Sequence, residues 1–343
     1  MNGYGGKVNG NTFNPVLPGW DKFRGTVRGP NDNTFKFEDG SVRKFPQTGF
    51  GLHDKIVTDW AQDFIRASAP KDQPFAVVAS LRSPHLPADY PDSYEDRFTQ
   101  ATLPRPPSFN EADVSDKPQF LRYPKITPDQ KSDLAAFNKK RLRSAAFADN
   151  QVSQLVSTLK DKREFGNTLF VFWNDNGYHM GQNRLPDVTH GGKRLPYLED
   201  VRFPMLVSGP GIPAGVRSDE FISAVDLLPT FLDVAGAQVP DYADGRSFLP
   251  LARGEDVEWR DFAYSEMSDA AGTPKGNWRT VYTKEEAYHE WTTTGGKELY
   301  DLSRDPHELD NLLSPGDSAA SLGTLAERMA TCSGDACRRA ENP

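Results

Sequence analysis

With 343 residues, 40 basic against 48 acidic side chains, a net charge of −8 and no Lys/Arg-rich stripe, the chain lacks the electrostatic footprint of a nucleic-acid binder. No apolar run approaches the roughly 18 residues of a membrane span, and 37% hydrophobic with 26% charged residues is a globular mix with material for about two domains. The 28 glycines and 27 prolines imply many loops around the regular elements.

Residues 1 to about 50 read as loops and a hairpin, with Thr34-Phe35-Lys36-Phe37 leading into an Asp39-Gly40 turn. Ile56, Val57, Trp60, Phe64 and Ile65 recur at helical spacing between Asp54 and Ala67, and Pro70 ends the pattern. The apolar run Pro74 to Leu81 has the length and texture of a strand buried on both faces. A Pro-rich loop then extends from Ser83 to about Pro128, long enough to be functional or covering. Leu134 to Lys162 is the strongest helix, with Leu142, Ala145, Ala146, Ala148, Val152, Leu155, Val156 and Leu159 as its apolar stripe and Lys139, Lys140, Arg141 and Arg143 on a solvated face. Further buried strands are expected at Thr168–Trp173 and Phe203–Ser208, and a short helix near 225–236 closed by Gly236. Strand, helix and strand in this order imply an α/β sheet with crossovers over residues 1–254. Beyond 255, short strands at Phe262–Tyr264, Trp278–Tyr282 and Glu298–Leu302 and a helix near 318–330 predict a smaller α+β subdomain, 255–343.

Three segments could carry chemistry. Asn174-Asp175-Asn176-Gly177-Tyr178-His179 follows a strand, where ligands gather in open α/β sheets. Asp175 and Asn176 offer a carboxylate and an amide oxygen, hard donors suited to Ca²⁺ or Mg²⁺, although Asp-Asn-Gly is also ordinary turn chemistry. His85 sits in Ser83-Pro84-His85-Leu86-Pro87, whose prolines stiffen the backbone. Gly191-Gly192-Lys193 leaves a lysine on a closely approached backbone, an anion contact or a plain surface lysine. Cys332 and Cys337 lack histidine partners for zinc, the last histidine being His307, and read better as a short disulfide than as free thiols. A disulfide points to an oxidising compartment, while Met1 to Gly6 shows no export signal.

In chain order these segments resemble one family. Pro84-His85-Leu86-Pro87, Asp175-Asn176-Gly177-Tyr178-His179, Gly192-Lys193 through Glu199-Asp200-Val201-Arg202-Phe203-Pro204, Asp226-Leu227-Leu228-Pro229-Thr230 and Glu298-Leu299-Tyr300-Asp301-Leu302 are similar to motifs of the type I sulfatases, within the alkaline phosphatase superfamily. Asn2-Gly3-Tyr4-Gly5, Pro18-Gly19-Trp20-Asp21, Pro106-Pro107-Ser108-Phe109 and the terminal cysteine pair look closest to the N-acetylglucosamine-6-sulfatase branch. The resemblance implies an alkaline-phosphatase-like α/β fold, a mixed, mostly parallel sheet between helices. It implies a sulfuric ester hydrolase acting on a sulfated carbohydrate or other sulfate ester. Asp175 and Asn176 would hold Ca²⁺, with Mg²⁺ the alternative; His85 would contact sulfate or protonate the leaving oxygen, Lys193 would bind a sulfate oxygen, and His179 would line the crevice.

The pattern also has departures. Asn183 stands where the family commonly has histidine, and Val188-Thr189-His190 lengthen the segment before Lys193. Family members carry an upstream Asp-Asp metal pair and a C-x-P-S-R motif that yields the formylglycine nucleophile; the only cysteines here are Cys332 and Cys337, and no Ser-x-Pro-x-Arg occurs. The expectation is therefore a chain lacking its first strands, inactive as written, from a full-length protein that is secreted or periplasmic. Two alternatives keep the same residues: a pseudoenzyme that binds sulfated glycans without cleaving them, or a phosphodiesterase or phosphonate hydrolase of the same superfamily. The latter is disfavoured by a total of six histidines, none paired at ligand spacing.

Overall fold

The computed structural model describes residues 2–3, 19–26, 33–45, 50–69, 73–185, 192–268, 276–314 and 319–341. Tyr4, Gly5, Pro18, Pro70 and Val188 to Gly191, named above, lie outside them. The chain forms two compact units, one of residues 1–103 with 132–168 and one of residues 104–131 with 169–343. The C-terminal sheet belongs to the same unit as the strand that precedes Asp175.

The first unit holds β1 (Asn2–Gly3), β2 (Arg24–Thr26), β3 (Thr34–Phe37) and β4 (Val42–Lys44), a small sheet in that order with β2, β3 and β4 antiparallel. The expected hairpin at Asp39-Gly40 forms; Gly40 takes φ +80°, and the Asp39 carboxylate caps the Ser41 N–H at 2.8 Å. α1 (Phe50–Ser68) buries Val57, Ala61 and Ile65, one residue per turn, and Phe35, Phe37 and Ile56 share a small core flanked by Phe45 and Trp60.

α2 (Pro128–Asp161) begins with a reciprocal cap. The Thr127 hydroxyl accepts the Gln130 N–H at 3.3 Å, the Gln130 amide oxygen accepts the Thr127 N–H at 2.9 Å, and Pro128 takes the first helical position. Its buried face differs from the alanine-rich stripe expected: Leu134, Phe137, Ser144, Phe147, Gln151, Leu155 and Thr158 are buried, while Ala145 is exposed. Arg143 is buried too, because its guanidinium finds the Arg97 carbonyl at 2.9 Å, the Tyr90 hydroxyl at 2.8 Å and Glu95 at 3.1 Å. The expected strand at 74–81 is not formed; among the described residues that segment bonds to no neighbouring strand.

In the second unit β5 (Phe170–Trp173) pairs with β6 (Met205–Ser208), with α3 (Leu198–Val201) between them in sequence. The pairing is antiparallel, and neither strand is buried as expected: β5 is half-buried along its length and β6 alternates, with Leu206 66% exposed. α4 (Leu227–Val234) and α5 (Leu249–Ala252) follow. A four-stranded antiparallel sheet then runs β7 (Phe262–Met267), β8 (Trp278–Thr283), β9 (Glu286–Trp291), β10 (Gly296–Asp301), with α6 (Ala320–Thr331) packed on it and α7 (Asp335–Glu341) following. Cys332 and Cys337 are joined across these last helices, their Cα atoms 5.0 Å apart. Among the described residues no helix is long and apolar enough to cross a membrane.

The core of the second unit mixes Leu121, Leu185, Leu195 and Tyr197 with Trp278, Tyr282, Trp291 and Tyr300 of the sheet. Embedded near it are charged groups. Lys117, 2% exposed, donates to the Tyr300 hydroxyl at 2.7 Å and to the Glu308 carbonyl, and lies 3.7 Å from Glu111. Burial pushes the Glu111 carboxyl up to about 7, against the pull of Lys117 and with the push of Asp116. An acid whose native pKa lies above its ordinary value of 4.5 binds more protons folded than unfolded between the two. Unfolding free energy is therefore expected to fall as pH rises from 4.5 to about 7, by roughly 3 kcal/mol from this group. Urea unfolding of wild type and Glu111→Gln across that window checks it: the variant should lose that part of the slope.

Candidate functional site

β5 delivers the chain to Asn174-Asp175-Asn176-Gly177. Asp175 is exposed, and its Oδ1 accepts the Asn176 N–H at 2.9 Å. Asn176 is half-buried and commits its NH₂ to the Gly177 carbonyl at 2.6 Å, which leaves Oδ1 as the oxygen able to meet a cation. The loop is docked against the lysine-bearing segment by two backbone bonds: the Gly177 N–H donates to the Asp200 carbonyl at 2.7 Å, and the His179 N–H to the Gly192 carbonyl at 2.6 Å. Both contacts need glycine. A Cβ on Gly177 would meet the Glu199 carbonyl oxygen at 2.0 Å, and one on Gly192 the Tyr178 ring at 2.4 Å.

The Lys193 segment folds on itself through Asp200, 5% exposed, whose Oδ2 accepts the Leu195 N–H at 2.6 Å. Lys193 is half-buried and Arg194 exposed, the latter at φ +76°. His179 is fully buried with its ring edge-on to Tyr197, centroids 6.2 Å apart. The following turn is pinned by the Asn183 N–H to the Ser108 carbonyl and the Asn110 N–H to the Gly181 carbonyl, both at 2.9 Å. Burial, with Glu308 nearby, pushes the Glu199 carboxyl up, while the Ser108 hydroxyl donates to it at 3.1 Å.

His85 belongs to the other unit. It is exposed, and its Nδ1–H donates to the Leu86 carbonyl at 2.8 Å, so Nε2 is the nitrogen that faces outward chemistry. Its loop is held by Asp54 on α1, fully buried, which accepts the Arg82 N–H at 2.6 Å and the Ser83 N–H at 3.1 Å. Asp54→Ala removes the acceptor of two backbone donors and the contact of the His53 ring 3.3 Å away, and is expected to cost about 1–3 kcal/mol in urea unfolding, with Asp54→Asn recovering part through its one remaining acceptor oxygen.

Asp175, Asn176, His179 and Lys193 thus lie on two hydrogen-bonded segments of one unit. A carboxylate and an amide oxygen fit a hard divalent ion in chemistry but fill only part of the six to eight positions Ca²⁺ takes. Among the described residues no group of three or more His, Cys, Asp or Glu side chains converges as a metal cage. Sequence reasoning missed Asp54, saw Asp200 only as a letter of a motif, and read Gly177 as an ordinary turn, while the closely approached backbone expected at Gly192 is found.

The family described as Sulfatase matches residues 8–237, and the one described as N-sulphoglucosamine sulphohydrolase, C-terminal, matches residues 189–334. The extracellular sulfatase SULF-1 homolog of Drosophila melanogaster is 32% identical over 267 residues, 76% of this chain and 23% of its own length. N-acetylglucosamine-6-sulfatase of Bos taurus is 28% identical over 326 residues, 82% of this chain and 56% of its own. The chain thus spans from about a quarter to about half of these relatives. A solved structure described as in complex with its substrate D-glucosamine-2-N,6-O-disulfate shares the fold at a TM-score of 0.76 and 19% identity, over 96% of this chain and 80% of that one.

Proposed function

The chain belongs to the sulfatase family, and from that membership we propose that it binds the sulfate ester of a sulfated sugar at the Asp175 loop and the Lys193 segment. The observation that carries the reading is the pair of backbone bonds from Gly177 to Asp200 and from His179 to Gly192, which keeps a carboxylate, an amide oxygen and a lysine on adjoining segments. Asp175 and Asn176 Oδ1 would hold a divalent ion, Ca²⁺ by their hardness. When bound, the ion supplies positive charge against the sulfuryl oxygens.

Lys193 Nζ donates to a sulfate oxygen and offsets charge there. On His85, Nδ1 is committed to the Leu86 carbonyl, so Nε2 is the nitrogen left for the leaving-oxygen role that the family resemblance implies. Residues 1–343 hold neither C-x-P-S-R nor Ser-x-Pro-x-Arg, so by themselves they are expected to bind ester and ion without turnover. The disulfide supports an oxidising, extracytoplasmic setting.

Calorimetric titration of glucosamine 6-sulfate into the chain with and without Ca²⁺ tests the reading. Ester affinity should require Ca²⁺, and Asp175→Ala and Lys193→Ala should each weaken it by about tenfold or more, the size of one charged hydrogen bond. Tighter binding of a phosphonate monoester than of the sulfate would favour the phosphonate hydrolase reading, and binding of neither would sink both.

A further inference from the structure

We propose that Glu308 is a positioning residue for Lys193, fixing from the C-terminal sheet the backbone of the segment that presents the lysine; its functional consequence rests on the reading of Lys193 as the sulfate ligand. Glu308 is 1% exposed, and three donors converge on its carboxylate. Oε2 accepts the Leu198 N–H at 3.0 Å, and Oε1 accepts His289 Nε2–H at 2.9 Å. The Tyr282 hydroxyl lies 2.7 Å from Oε1 and 2.8 Å from the Pro196 carbonyl, its single proton shared between them.

Two further groups of the segment are held by residues of the sheet. The Trp278 indole N–H donates to the Arg194 carbonyl at 3.0 Å, and the Tyr197 hydroxyl reaches the Glu298 carboxylate at 3.1 Å. Lys193 therefore stands on a strap anchored at Arg194, Pro196, Tyr197 and Leu198 to four side chains that follow it by 80 residues or more.

His289 holds the anchor from the sheet side. The Thr280 hydroxyl lies 3.0 Å from the Tyr288 carbonyl and 2.7 Å from His289 Nδ1, so the ring is held at both nitrogens with Nε2 aimed at Glu308. Burial alone would raise the Glu308 carboxyl, yet His289, the Leu198 N–H and Tyr282 hold it below the ordinary value. The backbone at Glu308 takes φ +56°, an unfavourable conformation for glutamate, and Lys117 occupies its carbonyl.

The test uses the full chain and three variants, Glu308→Gln, Tyr282→Phe and Lys193→Ala. Hydrogen–deuterium exchange without ligand should rise about tenfold or more over residues 192–200 in Glu308→Gln, and less in the milder Tyr282→Phe, with exchange in α6 unchanged. Glucosamine 6-sulfate affinity should fall about tenfold in Glu308→Gln, and the Glu308→Gln/Lys193→Ala double variant should bind no more weakly than Lys193→Ala alone. Unchanged exchange at 192–200 in both variants, or losses that add in the double variant, would overturn the positioning role. An unaffected Lys193→Ala would instead sink the sulfate-ligand reading and leave the exchange result to decide Glu308 by itself.

Discussion

Gly177→Ala is expected to separate the Asp175–Asn176 loop from the strap beneath it. The new Cβ would lie 2.0 Å from the Glu199 carbonyl oxygen and 2.9 Å from its carbon, both backbone atoms that cannot rotate aside. The loop must lift, and the 2.7 Å bond from the Gly177 N–H to the Asp200 carbonyl goes with it. Overpacking of this kind costs about 1–3 kcal/mol and the lost bond about 1 more. Urea unfolding should therefore show a loss of about 2–4 kcal/mol, and Ca²⁺ affinity should fall at least about tenfold. Gly166→Ala, where a Cβ meets nothing within 4 Å, is the control and should change neither.

Arg260→Ala is expected to produce the largest loss of stability. Its guanidinium, 2% exposed, meets Asp226 at 2.5 and 2.8 Å and Glu341 at 3.0 Å, and those carboxylates are 0% and 7% exposed. Asp226 also accepts the Ser223 N–H at 2.8 Å and the Arg246 N–H at 2.9 Å, so one carboxylate ties α4 to two loops. Removing the cation leaves two buried acids facing each other, with only Arg246 on Glu341 at 3.0 Å. Such truncations cost about 3–5 kcal/mol. By contrast Lys55→Ala, which breaks an exposed i,i+4 pair with Asp59, should cost under about 1 kcal/mol. Equal losses in the two variants would refute the assignment of the Asp226 motif to structure.

What the sequence made legible was local. The α1 period, the Asp39-Gly40 hairpin, β8 and β10 all follow from spacing and turn chemistry read within a few residues. α2 was legible as a helix but only partly in its face: alanines carry little burial signal, whereas Arg143 is buried because partners elsewhere satisfy it. The segment 74–81 has strand composition without a strand partner, and composition cannot supply the ladder. β9 and α7 escaped notice because Glu286–Trp291 and Asp335–Glu341 are rich in charge, and their burial depends on Glu308, Arg260 and the disulfide. In the site, Asp175, Asn176 and Lys193 were named from motif order. Glu298 was visible only as a letter of a C-terminal motif, and the role of Glu308 lay beyond any local pattern, since the bond from Leu198 to Glu308 spans 110 positions.

The most direct measurement is a crystal structure of the chain soaked with Ca²⁺ and glucosamine 6-sulfate. One ion should sit on Asp175 and Asn176 Oδ1, with the sulfate oxygens within hydrogen-bond reach of Lys193 Nζ. An ion and an ester lodged on separate surfaces, touching none or only one of these three side chains, would contradict the proposed site.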